Sequence, residues 1–380
     1  LIAPDNHFTL AALLFAIVAF ALWFERFPWG KRLTATVPIV LVPLLASNAG
    51  LIPTRAPAYA FMSEYFVAIA VPLLLFKADL RRILRETGRV LTVFLLATAG
   101  SVLGGVAAFL LVPVGPDADG VAATVTAGNI GGFMNIAAVA KATGIEDPTR
   151  FGMVFGSHIV FALAYFIFLS LLPNMAWFRR WTLASAAGGR EFSGPAGASG
   201  AAGPPLREQS ISIADLSVNL GLSLAICAAG TWMAGVAGLP RYSIIFITVL
   251  AVVAANVAPG ALARLRGGTE SGLLLMYLFF AAMGAQIDLV NLVQQAPVLV
   301  VFGAVAGLVH FVVAFGAGRL LGFAAPEVAI ASNACLLGPS TAAALAATAG
   351  WKELVVPGVL CGVFGYAIAN FVGIALAALL

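Results

Sequence analysis

The sequence predicts an all-α polytopic membrane protein made of two repeats, and three observations carry that prediction. Of 380 residues, 62% are hydrophobic and 9% charged, with a mean hydropathy of +1.04, whereas a soluble domain has about 25% charged residues. The apolar residues form continuous runs of membrane-spanning length, not the alternating stretches of about ten residues that make barrel strands. Two of those runs, TVTAGNIGGFMNIA at 124–137 and VAIASNACLLGPSTAAALA at 328–346, hold Asn, Gly, Pro, Ser or Thr in their middles.

A bilayer core takes roughly 20 apolar residues per helix. On that ruler the chain offers twelve segments: 8–24, 36–50, 61–76, 88–112, 120–141, 151–172, 211–235, 242–259, 270–286, 296–318, 327–349 and 353–379. The second, third and ninth are short, so they either tilt into thinner bilayer or do not all cross. LIAPDNHF leads straight into the first apolar run, which reads as a membrane helix and not as a cleaved signal peptide. WFRRW at 177–181 reads as an interfacial anchor, with Trp at headgroup depth and Arg at phosphate. The stretch 183–209 has no apolar face to bury and reads as a flexible linker. It separates a first repeat, 1–182, from a second, 210–380.

The halves correspond feature by feature. LLLFKADL ends at Leu80 and AAMGAQIDL ends at Leu289, which puts Asp79 and Asp288 in matching places. Each is followed by a long apolar helix, a helix interrupted by polar residues, and another long helix. Asn129 then pairs with Asn333, Gly132 with Gly338, and Gly144 with Gly350. The loop 77–89 holds five Lys or Arg and is assigned to the cytoplasm, while its partner QIDLVNLVQQ holds none, which suits the outer side and an inverted repeat. Six segments separate the two loops, however, and an even number of crossings would leave both on one side. One segment is therefore re-entrant or half-length, or a crossing is hidden between 173 and 240, or the repeat is parallel.

The interruptions need a reason, because an amide exposed in hydrocarbon costs several kcal/mol. Gly128, Gly131 and Gly132 permit dihedrals that other residues avoid, and Pro339 is expected to stop a helix. Half-helices meeting near mid-membrane present amides to an anionic group at their N-terminal ends. At the opposite ends, carbonyls together with Asn129, Asn135, Asn333, Ser340 and Thr341 supply the oxygen shell of a hard cation such as sodium. The ion ligands expected are Asn129, Asn333, Ser340 and Thr341. The wider solute-and-ion set adds Thr126, Gly131, Gly132, Asn135, His158 and Pro339. Glycines that let helices pack and Asn side chains that bridge them are the alternative, and it weakens when both interruptions occupy matching positions.

Ionisable residues narrow the chemistry. His158 is the exception in an otherwise uncharged segment, and its ordinary pKa near neutrality suits gating by protonation or a hydrogen bond to a carboxylate. His310 sits on a continuous apolar helix away from both interruptions and reads as packing. Glu64 and Asp215 read as helix-start caps and Lys141 as a snorkelling side chain. Cys227, Cys335 and Cys361 lack ligand spacing, so neither a disulfide scaffold nor a zinc site is indicated. The net charge of +4 is not gathered with aromatics on a soluble module, so nucleic acid is not an expected partner. No HExxH, GxGD or serine–histidine grouping suggests an enzyme, no organic cofactor is indicated, and a channel would need continuous polar rings.

PLLLFKADLRRI, TAGNIGGFMNIAAVAKA and SNACLLGPSTAAALA resemble the bacterial and plastid membrane-protein family catalogued as domain of unknown function 819. That family is similar in its broken-helix plan to the bile-acid and glutamate sodium symporters and, more remotely, to sodium/proton antiporters. The resemblance covers nearly the whole chain apart from the linker. It implies a dimer-forming panel of helices, a core of crossed discontinuous helices that moves against it, and ion-coupled transport across the cell inner membrane by a homodimer. It centres the site on Asn129, Asn135, Asn333, Pro339, Ser340 and Thr341. The antiporter branch is expected to carry a carboxylate after the first interruption, where this chain has Ser157 and His158. That departure favours sodium-coupled symport of a small organic anion or amino-acid-like solute over sodium/proton antiport.

Overall fold

The computed structural model describes residues 2–27, 35–187 and 211–380. The first half supplies α1 (His7–Phe24), α2 (Thr36–Asn48), α3 (Pro57–Leu75), α4 (Leu80–Thr87), α5 (Arg89–Leu111), α6 (Ala118–Gly131), α7 (Phe133–Thr143), α8 (Pro148–Leu171) and α9 (Ala176–Ala187). The second supplies α10 (Ile213–Val236), α11 (Ser243–Val257), α12 (Pro259–Arg264), α13 (Gly268–Gln286), α14 (Leu289–Leu320), α15 (Ala325–Leu337), α16 (Pro339–Thr348) and α17 (Val355–Leu379). Among the described residues, nine helices are long and apolar enough to cross a membrane, and exposed side chains such as Leu110, Trp232 and Leu308 give them an apolar outer surface. The chain is a multi-pass membrane protein. The remaining three of the twelve predicted segments are the short α2 and the two interrupted runs. Helix α9 extends to Ala187, into the span read as linker, and residues 188–209 lie outside the described residues.

Helix α8 and the segment that follows it define the two ends of the molecule. Near its start, Thr149 Oγ1 accepts from the amide of Asp288 at 3.2 Å, and Asn48 joins the same end through Ile287 O at 2.9 Å. Beyond its far end, Trp181 Nε1 of α9 donates to Phe323 O at 3.0 Å. Arg89 at the head of α5 lies at this far end too, donating to Gly322 O at 3.1 Å and pairing with Glu327 at 3.3 Å.

Both interrupted runs are hairpins. A Cβ built on Gly120, at the start of α6, would lie 3.3 Å from Oγ1 of Thr143, the last residue of α7. Arg150 near the start of α8 pairs with Asp117 through both carboxylate oxygens, so this hairpin enters from the Pro148 end and returns to it. The run 325–348 begins beside Phe323, held by Trp181, and ends beside Trp351, whose ring lies 6.0 Å from that of Phe178. Both of its ends therefore rest on α9, at the opposite end of the molecule. Each pair folds back on itself, so the two runs counted among the twelve candidate crossings are both re-entrant, one of the alternatives that the crossing count left open.

The turn residues explain why. Gly132 adopts φ 67°, ψ −175° and Gly338 φ 91°, ψ −175°, a region open essentially to glycine alone. These two residues, matched in the sequence, share one backbone conformation. Pro339 does not stop a helix, as expected, but begins α16 at its first position, where its missing N–H would have had no partner anyway.

Folding back removes the odd crossing from the count. Between the basic loop 77–89 and Asp288 run α5, α8, α10, α11 and α13, five helices of spanning length. An odd number puts the loops at opposite ends, in agreement with the contacts of Arg89 and Asp288. Asp79 and Asp288 act alike in both halves: Asp79 Oδ1 accepts from the amide of Arg81 at 3.0 Å, and Asp288 Oδ1 from that of Val290 at 2.9 Å.

Candidate functional site

The hairpin tips touch at the centre of the molecule. A Cβ on Gly132 would stand 3.5 Å from the carbonyl carbon and oxygen of Leu337. On one side α17 closes over the tips, because Gly362 lets its backbone approach Pro339 N, 2.5 Å from where a Cβ would stand, and Gly365 lets it rest on the carbonyl of Ile130. On another side, α8 and the junction of α1 with α2 leave a cavity of about 250 Å³.

That cavity takes polar groups from three places. Helix α8 supplies His158, the start of α16 supplies Ser340 and Thr341, and the α1–α2 junction supplies Glu25 and Thr36. Phe133 comes from the first tip and Leu336 and Leu337 from the second, while Phe166 adds a further apolar wall. His158 is 2% exposed and its Nδ1 has no partner among the described residues. It also leans on the first hairpin, where a Cβ on Gly128 would meet its ring at 3.0 Å. Thr341 Oγ1 donates back to Gly338 O at 3.0 Å.

Behind the cavity lie the amides. Asn129 and Asn333 are completely buried, and both polar atoms of each side chain lack a partner among the described residues. Asn135 Nδ2 is likewise unpartnered and sits against Gly131 at the first tip. A buried amide without a hydrogen bond costs about 1–3 kcal/mol on protein mutational scales, so two wholly unsatisfied Asn side chains in one centre need a cause beyond packing. Asn333 precedes Leu336 and Leu337 by one helical turn, which places it on the cavity-facing side of α15. Thr126 faces another way, with Oγ1 against Gly105 of α5 and no hydrogen bond among the described residues. The expected ion ligands thus divide: Asn129 and Asn333 are buried, whereas Ser340 and Thr341 line the cavity.

A third layer joins the two hairpins through groups that sequence reasoning passed over. The carbonyl of Asn129, in the last turn of α6 where helical carbonyls lose their partners, lies 2.8 Å from Ser101 Oγ and 3.2 Å from Cys335 Sγ. A carbonyl only accepts, so the Ser101 hydroxyl donates to it. Ser101 Oγ must then accept from His310 Nδ1 at 2.8 Å, which assigns the Nδ1–H tautomer. His310 Nε2 accepts from Ser332 Oγ at 2.9 Å, and Tyr165 completes the series by donating to Ser332 Oγ at 2.6 Å. Five elements, α5, α6, α8, α14 and α15, share one chain of hydrogen bonds. The reading of His310 as a packing residue remote from both interruptions is corrected. Helix α14 crosses α5 closely at Gly100 and Gly104, and that crossing brings the middle of a continuous helix between the hairpins. No local motif announces Ser101, Tyr165 or His310; Glu25 alone had a signal, as an acid closing the first apolar run.

Chemically, the centre offers the amide oxygens of the buried Asn129 and Asn333 and the hydroxyls of Ser340 and Thr341, and the described residues hold no cluster of His, Cys, Asp and Glu fit for a transition metal. Such oxygens suit a hard monovalent cation or a polar solute. Comparison with known proteins places the chain in context. The family model described as "Protein of unknown function (DUF819)" matches residues 12–380. The chain is also similar to the uncharacterized membrane protein YjcL of Bacillus subtilis (strain 168), with 31% identity over 387 residues, covering 98% of this chain and 96% of that protein.

Proposed function

The chain belongs to the DUF819 family, and from that premise we propose that it is a secondary active transporter coupling sodium to the uptake of a small solute by alternating access. The observation that carries this reading is the pair of wholly buried, unpartnered Asn side chains, Asn129 and Asn333, at the junction of two hairpins that enter from opposite ends. Polar backbone at membrane depth is tolerated where it lines a binding site. In this reading Asn129 and Asn333 hold the ion, with Ser340 and Thr341 between ion and solute, and the two halves are inverted repeats around that centre. A homodimer in the inner membrane, with no enzymatic activity, completes the proposal.

Sodium–proton antiport is the second reading, and Glu25 is the observation in its favour, being the one carboxylate that lines the cavity among the described residues. The two separate in proteoliposomes without organic solute, where an outward sodium gradient acidifies the lumen under antiport and leaves it unchanged under symport. For the main reading, sodium raises the thermal stability of the purified protein, by about 2.7 kcal/mol at a hundredfold excess over the dissociation constant. Asn129→Ala and Asn333→Ala weaken that response. A sodium titration unchanged in both variants overturns the site.

A further inference from the structure

A cavity of about 820 Å³ lies at the far end of the molecule, between α9 and the turn that joins α14 to α15. From α9 it takes Trp177, Arg180 and Trp181, whose spacing puts them on one face of that helix. From the other side come Arg319, in the last turn of α14, and Phe323 beyond it. The Arg319 guanidinium stands over the Trp181 ring, 5.7 Å from its centroid. No Asp or Glu is among the lining residues, and neither arginine has an ion pair among the described residues, whereas Arg89 at the same end is paired with Glu327. Depth and side are also fixed. Helix α14 is apolar from Pro297 to Leu320, so Arg319 sits where hydrocarbon gives way to headgroups, and Leu320 and Leu321 next to it are 88% and 61% exposed. The basic loop 77–89 ends here, with Arg89 on Gly322 O, which assigns this end to the cytoplasmic leaflet.

Each arginine alone has a local reason, Arg319 as the cation at a helix C-terminus and Arg180 as a snorkelling interfacial side chain. Neither reason places both on one Trp-walled cavity that holds no counter-charge. Basic pockets between helices on the cytoplasmic side suit anionic lipid headgroups, and an arginine fork matches phosphate oxygens. We infer that this cavity binds the headgroup of an anionic glycerophospholipid of the inner leaflet, its phosphate between Arg180 and Arg319 and its glycerol against Trp177 and Trp181. Size agrees: 820 Å³ equals about 27 water volumes at ~30 Å³ each, room for a headgroup with its glycerol and far more than a free phosphate fills. Trp181 Nε1 holds Phe323 O at 3.0 Å, and α15 begins two residues later at Ala325. A bound headgroup therefore ties α9 to the entry of the second hairpin. The inference is independent of the transport reading.

The test titrates the purified full-length protein, in maltoside detergent, with phosphatidylglycerol, phosphatidylcholine or inorganic phosphate and follows thermal unfolding. Phosphatidylglycerol raises the melting temperature, and phosphatidylcholine at the same fraction of the micelle does not. Arg180→Gln and Arg319→Gln each raise the phosphatidylglycerol needed for the half-maximal shift by about fivefold, the worth of one basic residue near an anionic surface, and the double variant raises it further. Arg179→Gln, whose residue lines a different cavity with Trp351, titrates as wild type. If Arg319→Gln gives no monodisperse protein because the end of α14 needs its charge, Arg180→Gln beside Arg179→Gln decides. Equal stabilisation by the two lipids, or none by phosphatidylglycerol, overturns the inference. Stabilisation by inorganic phosphate alone overturns it in favour of a soluble anion. An Arg180→Gln titration equal to wild type, or a loss in Arg179→Gln as large as in Arg180→Gln, overturns it in favour of general surface charge.

Discussion

His310 offers the sharpest test of how the hairpins are joined. In His310→Leu the α5–α14 crossing keeps an apolar side chain, but Ser101 Oγ loses its Nδ1–H donor at 2.8 Å and Ser332 Oγ loses its acceptor at 2.9 Å. Interhelical hydrogen bonds in membrane proteins average about 0.6 kcal/mol and reach about 1.7 kcal/mol. An orphaned buried hydroxyl donor adds about 1–3 kcal/mol. Two lost bonds and one orphaned Ser332 donor put the substitution at about 2–4 kcal/mol. Ser332→Ala removes the orphan, so the double variant with His310→Leu is more stable than the sum of the single losses, by about 1 kcal/mol or more. His310→Gln, with a donor and an acceptor on one side chain, recovers part of the loss. Reversible unfolding in mixed detergent micelles, followed by tryptophan fluorescence, measures the wild type and the four variants. Strict additivity of Ser332→Ala and His310→Leu, or a His310→Leu protein as stable as wild type, would refute the hydrogen-bond chain and return His310 to ordinary packing.

Three further outcomes follow from the hairpin geometry. Gly132→Ala and Gly338→Ala each destabilise by about 1–3 kcal/mol, because both positions combine φ of 67° or 91° with extended ψ; equal stability to wild type in the same unfolding assay removes the shared-turn explanation. Pro339→Ala leaves the fold and the sodium response close to wild type, since Gly338 makes the turn and Pro339 only starts α16; a collapse of sodium stabilisation in a monodisperse sample contradicts this. Gly362→Ala destabilises through backbone contact with Pro339, whereas Gly156→Ala on α8, with nothing within 4 Å of its Cβ, is neutral or gains up to about 1 kcal/mol of helix propensity, and equal melting temperatures for the two variants would deny the difference between these helices.

Element positions were legible because membrane helices announce themselves by length and apolarity: Arg89–Leu111 and Val355–Leu379 lie within a few residues of the segments read as 88–112 and 353–379. The matching of Gly132 with Gly338 was legible for the same local reason, that a tight turn at depth needs glycine. Folding back was not. GNIGGFMN and LLGPST are compatible with a kink or a reversal, and what decides between them is distant: Arg150 pairing with Asp117, and Trp351 packing on Phe178. The parity conflict between charge and crossing count was the trace this left in the sequence. His310 and Tyr165 were illegible because their partners lie far away in the chain, at Ser101 and Ser332.

The two hairpins share a turn conformation but not their surroundings. On α17, Gly362 and Gly365 let the helix backbone close directly over both tips. Helix α8 carries Ser157 and His158 beside the first hairpin and touches the second through Tyr165 and Ser332 at 2.6 Å, while His158 and Phe166 line the cavity next to it. One side of the tips is thus closed by α17, and the other leaves a cavity lined by His158 of α8 and by Glu25. The hydrogen-bond chain from Asn129 O to Tyr165 runs from the first hairpin to that same α8 by way of Ser332 on the second. Displacing α8 from the tips therefore strains contacts to both hairpins together, the direct one at Ser332 and, through His310 and Ser101, the one at Asn129 O.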